Sequence, residues 1–106
     1  MSDHDFSDLY AQYPPTIATM PDTFTSHEFI LELARQNQKL YIEALYSYRQ
    51  HQHRGTEAPF LIVHGILAQQ LLEYPKLVHQ GRRDAPSKNI FGKDDTCSEW
   101  AKLKHR

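Results

Sequence analysis

Hydrophobic residues recur at helical spacing in two long stretches of the chain, and those stretches set the architecture. In the first, Phe29, Ile30, Leu33, Leu40, Tyr41, Ala44, Leu45 and Tyr48 keep to one face as far as Arg49, with no Gly or Pro in the run. Thr25-Ser26-His27-Glu28 reads as a capping box at its start: the hydroxyl accepts from the third helical amide and Glu28 reaches back. The polar run Gln36-Asn37-Gln38 leaves two readings open, one helix over 26–50 or two shorter helices packed together. In the second stretch Phe60, Val63, Leu67 and Leu71 form a face that Leu61, Ile66 and Leu72 widen, until Tyr74-Pro75 stops the pattern. Thr56 caps this helix and Pro59 sits in its first turn, after a polar loop His51–Gly55. Gly65 costs about 1 kcal/mol against Ala in a helix interior, which predicts a close helix crossing or a turn there.

The flanks follow other rules. Ser7–Tyr13 is a short helical pattern that Pro14-Pro15 is expected to end, since proline fixes φ and disfavours helix in the residue before it. Residues 1–23 then form an arm whose Leu9, Tyr10, Tyr13, Ile17 and Met20 lie across the domain or across a second subunit. Beyond Pro75 the period shortens: Leu77–Gln80 is strand-like and Gly81–Lys88 is rich in turn formers. Thr96–Leu103 is either the second strand of a hairpin or a short helix capped by Thr96 and Glu99. The fold class predicted is α+β and mainly helical, with two or three core helices and a small C-terminal β-hairpin in a single domain over 24–106. A small all-α bundle is the alternative.

A chain of 106 residues, 40% hydrophobic and 24% charged, buries one core. The longest apolar stretch, Ala58–Ala68, is well short of the roughly 20 residues that span a bilayer, so no membrane partner is expected. The start, Met1-Ser2-Asp3-His4-Asp5, is acidic where a secretory signal is basic then apolar, and the expectation is a cytoplasmic protein. Cys97 is the only cysteine, which excludes an internal disulfide and a thiolate-rich zinc site. The net charge of −1 hides a gradient, because Met1–Ala34 has no Lys or Arg while Lys76, Arg82, Arg83, Lys88 and Lys93 cluster late against Asp84.

Seven histidines raise the question of a metal, and His51 and His53 are the nearest pair. A catalytic zinc needs a third protein ligand and a second shell, and no carboxylate lies beside them, so neither metal nor cofactor is expected. His64 inside the apolar helix reads as a structural imidazole, and Cys97 lacks an orienting partner in sequence. Asp94-Asp95 match no calcium-loop spacing. No residue is assigned a catalytic role, and the expectation is a protein that is not an enzyme. Tyr41 and Tyr48 fall on the apolar face, whereas Tyr46 lies opposite and joins Tyr10 and Tyr13 as a candidate aromatic interface.

Taken in order, the helices, Lys76-Leu77-Val78-His79-Gln80, the Gly81-Arg82-Arg83 turn and a strand near Trp100 resemble the layout of winged helix-turn-helix domains over Phe24–Leu103. The resemblance implies a recognition helix over Glu57–Glu73, reading bases with Gln69 and Gln70, and a wing over Gly81–Lys93. Phosphates would then fall to Lys76, Arg82, Arg83, Lys88 and Lys93. That helix carries no Lys or Arg between its terminal glutamates. Two functions follow: a DNA-binding, regulatory module using these residues, or a protein-interaction or homodimerisation module using the tyrosines.

Overall fold

The computed structural model describes residues 4–50, 58–89 and 91–103. Its helices are α1 (Ser7–Tyr10), α2 (Tyr13–Thr19), α3 (Ser26–Gln36), α4 (Gln38–Ser47) and α5 (Ala58–Gln70), with a 3₁₀ turn at Leu71–Glu73. The strands are β1 (Thr23–Thr25), β2 (Val78–Gln80), β3 (Ala85–Lys88), β4 (Asp94–Cys97) and β5 (Glu99–Lys102). The fold is α+β and mainly helical. The expected loop His51–Gly55 and the Thr56 cap lie outside the described residues.

The capping box starts α3 as its sequence demands: Thr25 Oγ1 accepts from Glu28 N–H at 3.2 Å and Thr25 N–H donates to Glu28 Oε1 at 2.8 Å. The break is at Asn37. Its side-chain amide donates to the Leu33 carbonyl at 3.1 Å and its backbone takes φ −133° and ψ 53°, so two helices form in place of one. Pro14 and Pro15 begin a helix instead of ending one. They occupy the first turn of α2, where a missing amide hydrogen costs nothing.

Antiparallel strands β1, β5 and β2 make a three-stranded sheet with β5 in the middle. Phe24 and Gln80 both pair with Trp100, which puts Phe24, Trp100 and Val78 on the face toward the helices, each about 2% exposed. Between β2 and β5 the chain makes a second, two-stranded sheet, β3 against β4, so the stretch expected as a long turn is itself a hairpin. Thr96 pairs with Pro86 in β4 and caps no helix. At the hairpin tip Asn89 Oδ1 accepts from Phe91 N–H and Lys93 N–H, and Gly92 takes φ 76°, a conformation only glycine enters freely.

One core joins all layers. Phe29, Leu33, Ala44, Val63 and Leu67 are fully enclosed, and so are residues of the N-terminal segment: Tyr13 has no exposure, and Leu9 and Ile17 have almost none. The Tyr13 ring lies against Phe29 and Tyr74, and its hydroxyl donates to the Leu67 carbonyl at 2.6 Å. Tyr74 returns the tie by donating to the Tyr10 carbonyl at 2.9 Å. Gly65 shows neither expected reason for its presence: α5 runs through it, and a Cβ there would meet nothing within 4 Å.

Replacing Tyr13 with Phe keeps the ring and removes the buried hydrogen bond, which should lower unfolding free energy by about 1 to 2 kcal/mol. Thr25→Ala should cost about 1 kcal/mol through loss of the cap. Chemical denaturation at neutral pH checks both, and the two losses should add because the sites share no partner.

Candidate functional site

The residues that sequence singles out fall into separate places. Arg82 and Arg83 follow β2, and Lys88 and Lys93 lie on the β3–β4 hairpin, all exposed. The hairpin supplies its own counter-ions: Lys88 Nζ bridges to Asp94 across the strand pair at 2.9 Å, and Arg82 Nε bridges to Asp84 at 3.1 Å. Asn89 and Asp95 are also within reach at 3.5 Å. Over 81–98 the cations Arg82, Arg83, Lys88 and Lys93 stand against Asp84, Asp94 and Asp95, four against three, so the excursion is one charge from neutral. Sequence adjacency hid this, because Asp94 is six residues from Lys88 until the hairpin brings it opposite. Lys76 is exposed in the turn before β2, away from the hairpin in sequence and structure order.

The hairpin is also docked on the helices. Thr25 Oγ1 and Ser87 Oγ are 3.0 Å apart, Ser26 N–H donates to the Ser98 carbonyl at 2.9 Å, and Phe91 packs edge-on against Phe60 of α5 at 5.3 Å between centroids.

Of the three tyrosines proposed as an aromatic interface, Tyr13 is in the core and cannot serve. Burial also holds its phenol protonated by raising its pKa. Tyr10 is half-buried, its ring stacked at 5.8 Å on Phe6 and meeting Tyr13 edge-on. Tyr46 is 63% exposed, under the Arg49 guanidinium at 3.8 Å.

The most unusual surface belongs to α5. Val63 and Leu67 face the core, yet Leu61 on the opposite side is 62% exposed, with Gly65 exposed beside it and Leu72 of the 3₁₀ turn 43% exposed. From Ala58 to Leu72 there is no Lys, Arg, Asp or Glu. A helix that is apolar all round is ordinarily covered on all sides, and this one is covered on only part of its circumference. Two grooves flank the exposed ridge. One runs between α5 and Tyr10 and contains Gln69, Gln70 and Glu73, so both proposed base-reading glutamines sit beside a carboxylate. The other, a cleft of about 330 Å³, lies between the first turn of α3, α5 and the loops that flank the hairpin, and Gly65 and Leu61 border both. The signal was in the sequence, where Leu61, Ile62, Ile66 and Leu72 extend the apolar residues well past the arc that one core face needs. A further apolar groove between α3 and α4 is lined by Leu31, Ala34, Tyr41 and Ile42, with Leu31 and Ile42 more than half exposed.

The second cleft contains His27, His64, Arg83 and Cys97. Among the described residues no group of three or more His, Cys, Asp or Glu is placed to hold a metal ion, and His51 and His53 lie outside them. His27 Nδ1 is buried there with no hydrogen-bond partner. Tyr41 Oη lies 2.6 Å from His64 Nε2. Burial, and then the charge of nearby His27, push the His64 pKa down to about 4, while burial lifts the Tyr41 phenol to about 12. At neutral pH the phenol therefore donates and the neutral imidazole accepts, which joins α4 to α5.

A histidine held neutral in the native state is protonated more readily once unfolded. Stability should thus be full above about pH 6.5 and fall as pH drops toward about 4, by at most about 3 kcal/mol. Urea denaturation at pH 7 and pH 4.5 measures the loss, and a His64→Gln variant, which cannot take up the proton, should show a smaller difference between the two.

Among the described residues no helix is long and apolar enough to cross a membrane. The chain matches no protein-family model, no curated protein and no solved structure.

Proposed function

We propose that this chain is a non-enzymatic, cytoplasmic protein-interaction module of winged-helix-like architecture, and that its working surface is the exposed side of α5. The observation that carries this reading is the charge-free face of the helix that the winged-helix resemblance assigns to base recognition. Base edges and phosphates are read by cations and amides, and specific protein–DNA surfaces are strongly positive. Here the corresponding helix offers Leu61, Gly65 and Leu72, and its Gln69 and Gln70 share their groove with Glu73. Removing exposed leucine from water contributes about 25 cal/mol per Å² of apolar surface covered, a gain only an apolar partner supplies.

Nucleic-acid binding through the hairpin is the second reading, favoured by the exposure of Arg82, Arg83, Lys88 and Lys93 on one excursion. Its strength is bounded by the ion pairs just described. Arg82 and Lys88 are bridged to Asp84 and Asp94 in exposed pairs, which a phosphate must displace to reach them.

A photo-crosslinking amino acid at position 61 separates the two in cells. The protein-interaction reading expects adducts that protease removes and nuclease does not, absent when the same group is placed at Lys39. Adducts removed by nuclease would overturn it. In vitro, a labelled random duplex should bind no tighter than about 100 μM at 0.15 M salt.

A further inference from the structure

Building on the protein-interaction reading, we infer that the occupant of the α5 face is a second copy of this chain, related by a two-fold axis that passes between Leu61 and Gly65. The face is a projection and a recess on one helix. Leu61 stands 62% exposed, and one turn on, about 6 Å along the axis, Gly65 leaves open space where any other residue would place a Cβ. An antiparallel copy brings each Leu61 over the other's Gly65, so the same residues serve as projection and recess in both copies, as a two-fold interface requires.

Two further observations fit that occupant. Self-pairing brings like residues together, which is costly for charged faces; this one carries no Lys, Arg, Asp or Glu from Ala58 to Leu72, so no like charges meet at the ridge. Gly65 lowers the helical propensity of α5 and is repaid by no contact within the chain, since nothing lies within 4 Å of a Cβ built there. A backbone approaching closely from outside is what such a residue admits. A pair joined through this one helix ridge is expected to be weak and reversible, since stable complexes bury roughly 1,200 Å² or more.

Sedimentation of the full chain from about 1 to 500 μM tests this, with the mass expected to pass from one copy to two across the tens of micromolar range. Leu61→Glu, on an exposed position, should weaken association at least tenfold and leave the unfolding midpoint at low concentration unchanged. Gly65→Ala is the sharper variant. It should raise the midpoint at low concentration by about 4 °C through helix propensity, while weakening association several-fold through the lost recess. A chain monomeric throughout, or association that Gly65→Ala leaves unchanged or strengthens, overturns the two-fold pairing. Crosslinks from position 61 to a different protein would then keep the protein-interaction reading alive, and nuclease-sensitive crosslinks would remove both.

Discussion

Everything in the molecule is referred to the first turn of α3, where sheet, hairpin and helices are tied to one serine. Ser26 accepts from the Trp100 indole N–H at 2.9 Å, its own N–H donates to the Ser98 carbonyl at 2.9 Å, and its side chain is buried at 3% exposure. An unpaired indole N–H at this depth costs on the order of 1 to 3 kcal/mol, so Trp100 requires Ser26 in place, and the Ser26 hydroxyl in turn donates to the Ser98 carbonyl at 3.4 Å. These bonds to Ser98 and Trp100 orient β5, and β5 in turn orders β1 and β2 on either side of it. The hairpin is positioned through the neighbouring Thr25 and Ser87 hydroxyls. A capping residue pair that looks local in sequence therefore decides how the sheet sits on the helices.

The strongest local signals were legible in advance. Thr25 and Glu28 form their box, the two apolar series become α3–α4 and α5, and the segment after Pro75 turns to strands. What escaped sequence reasoning has a common physical cause: partners far apart along the chain. Pro14 and Pro15 have the same local chemistry whether they end α1 or begin α2. What favours the second is Tyr13, whose hydroxyl finds the Leu67 carbonyl 54 residues later. Asp94 and Asp95 read as an unattached acidic pair until β3 and β4 place Asp94 opposite Lys88. The candidate site suffered most, since exposure on α5 depends on which other elements cover it, and periodicity says only that apolar residues are in excess.

The α5 face and the His64–Tyr41 pair are two sides of one helix under opposite constraints. Toward the interior, a neutral imidazole is acceptable because a phenol with a raised pKa donates to it. Toward solvent, the helix gives up charge and accepts exposed leucine. A residue series that served only solubility would place lysine or glutamate at positions 61, 65 and 72, as surface helices commonly do. The same absence of charge that leaves this face poorly matched to phosphates makes it compatible with burial.

The place of β5 in the sheet has a kinetic meaning. Thr23 to Thr25 form their ladder only with Glu99 to Ala101, and β2 pairs with that same strand, so neither outer strand has a sheet partner until the last of the three has been synthesised. The contacts among α3, α4 and α5 involve no residue of β5 and are free to form earlier. During that interval Phe24 and Val78 lack Trp100 between them, and the nascent chain shows strand edges and apolar side chains that the finished molecule conceals. Closure of the sheet, and with it concealment of Phe24 and Val78, therefore waits on the synthesis of Glu99 to Lys102, however early the helices have met.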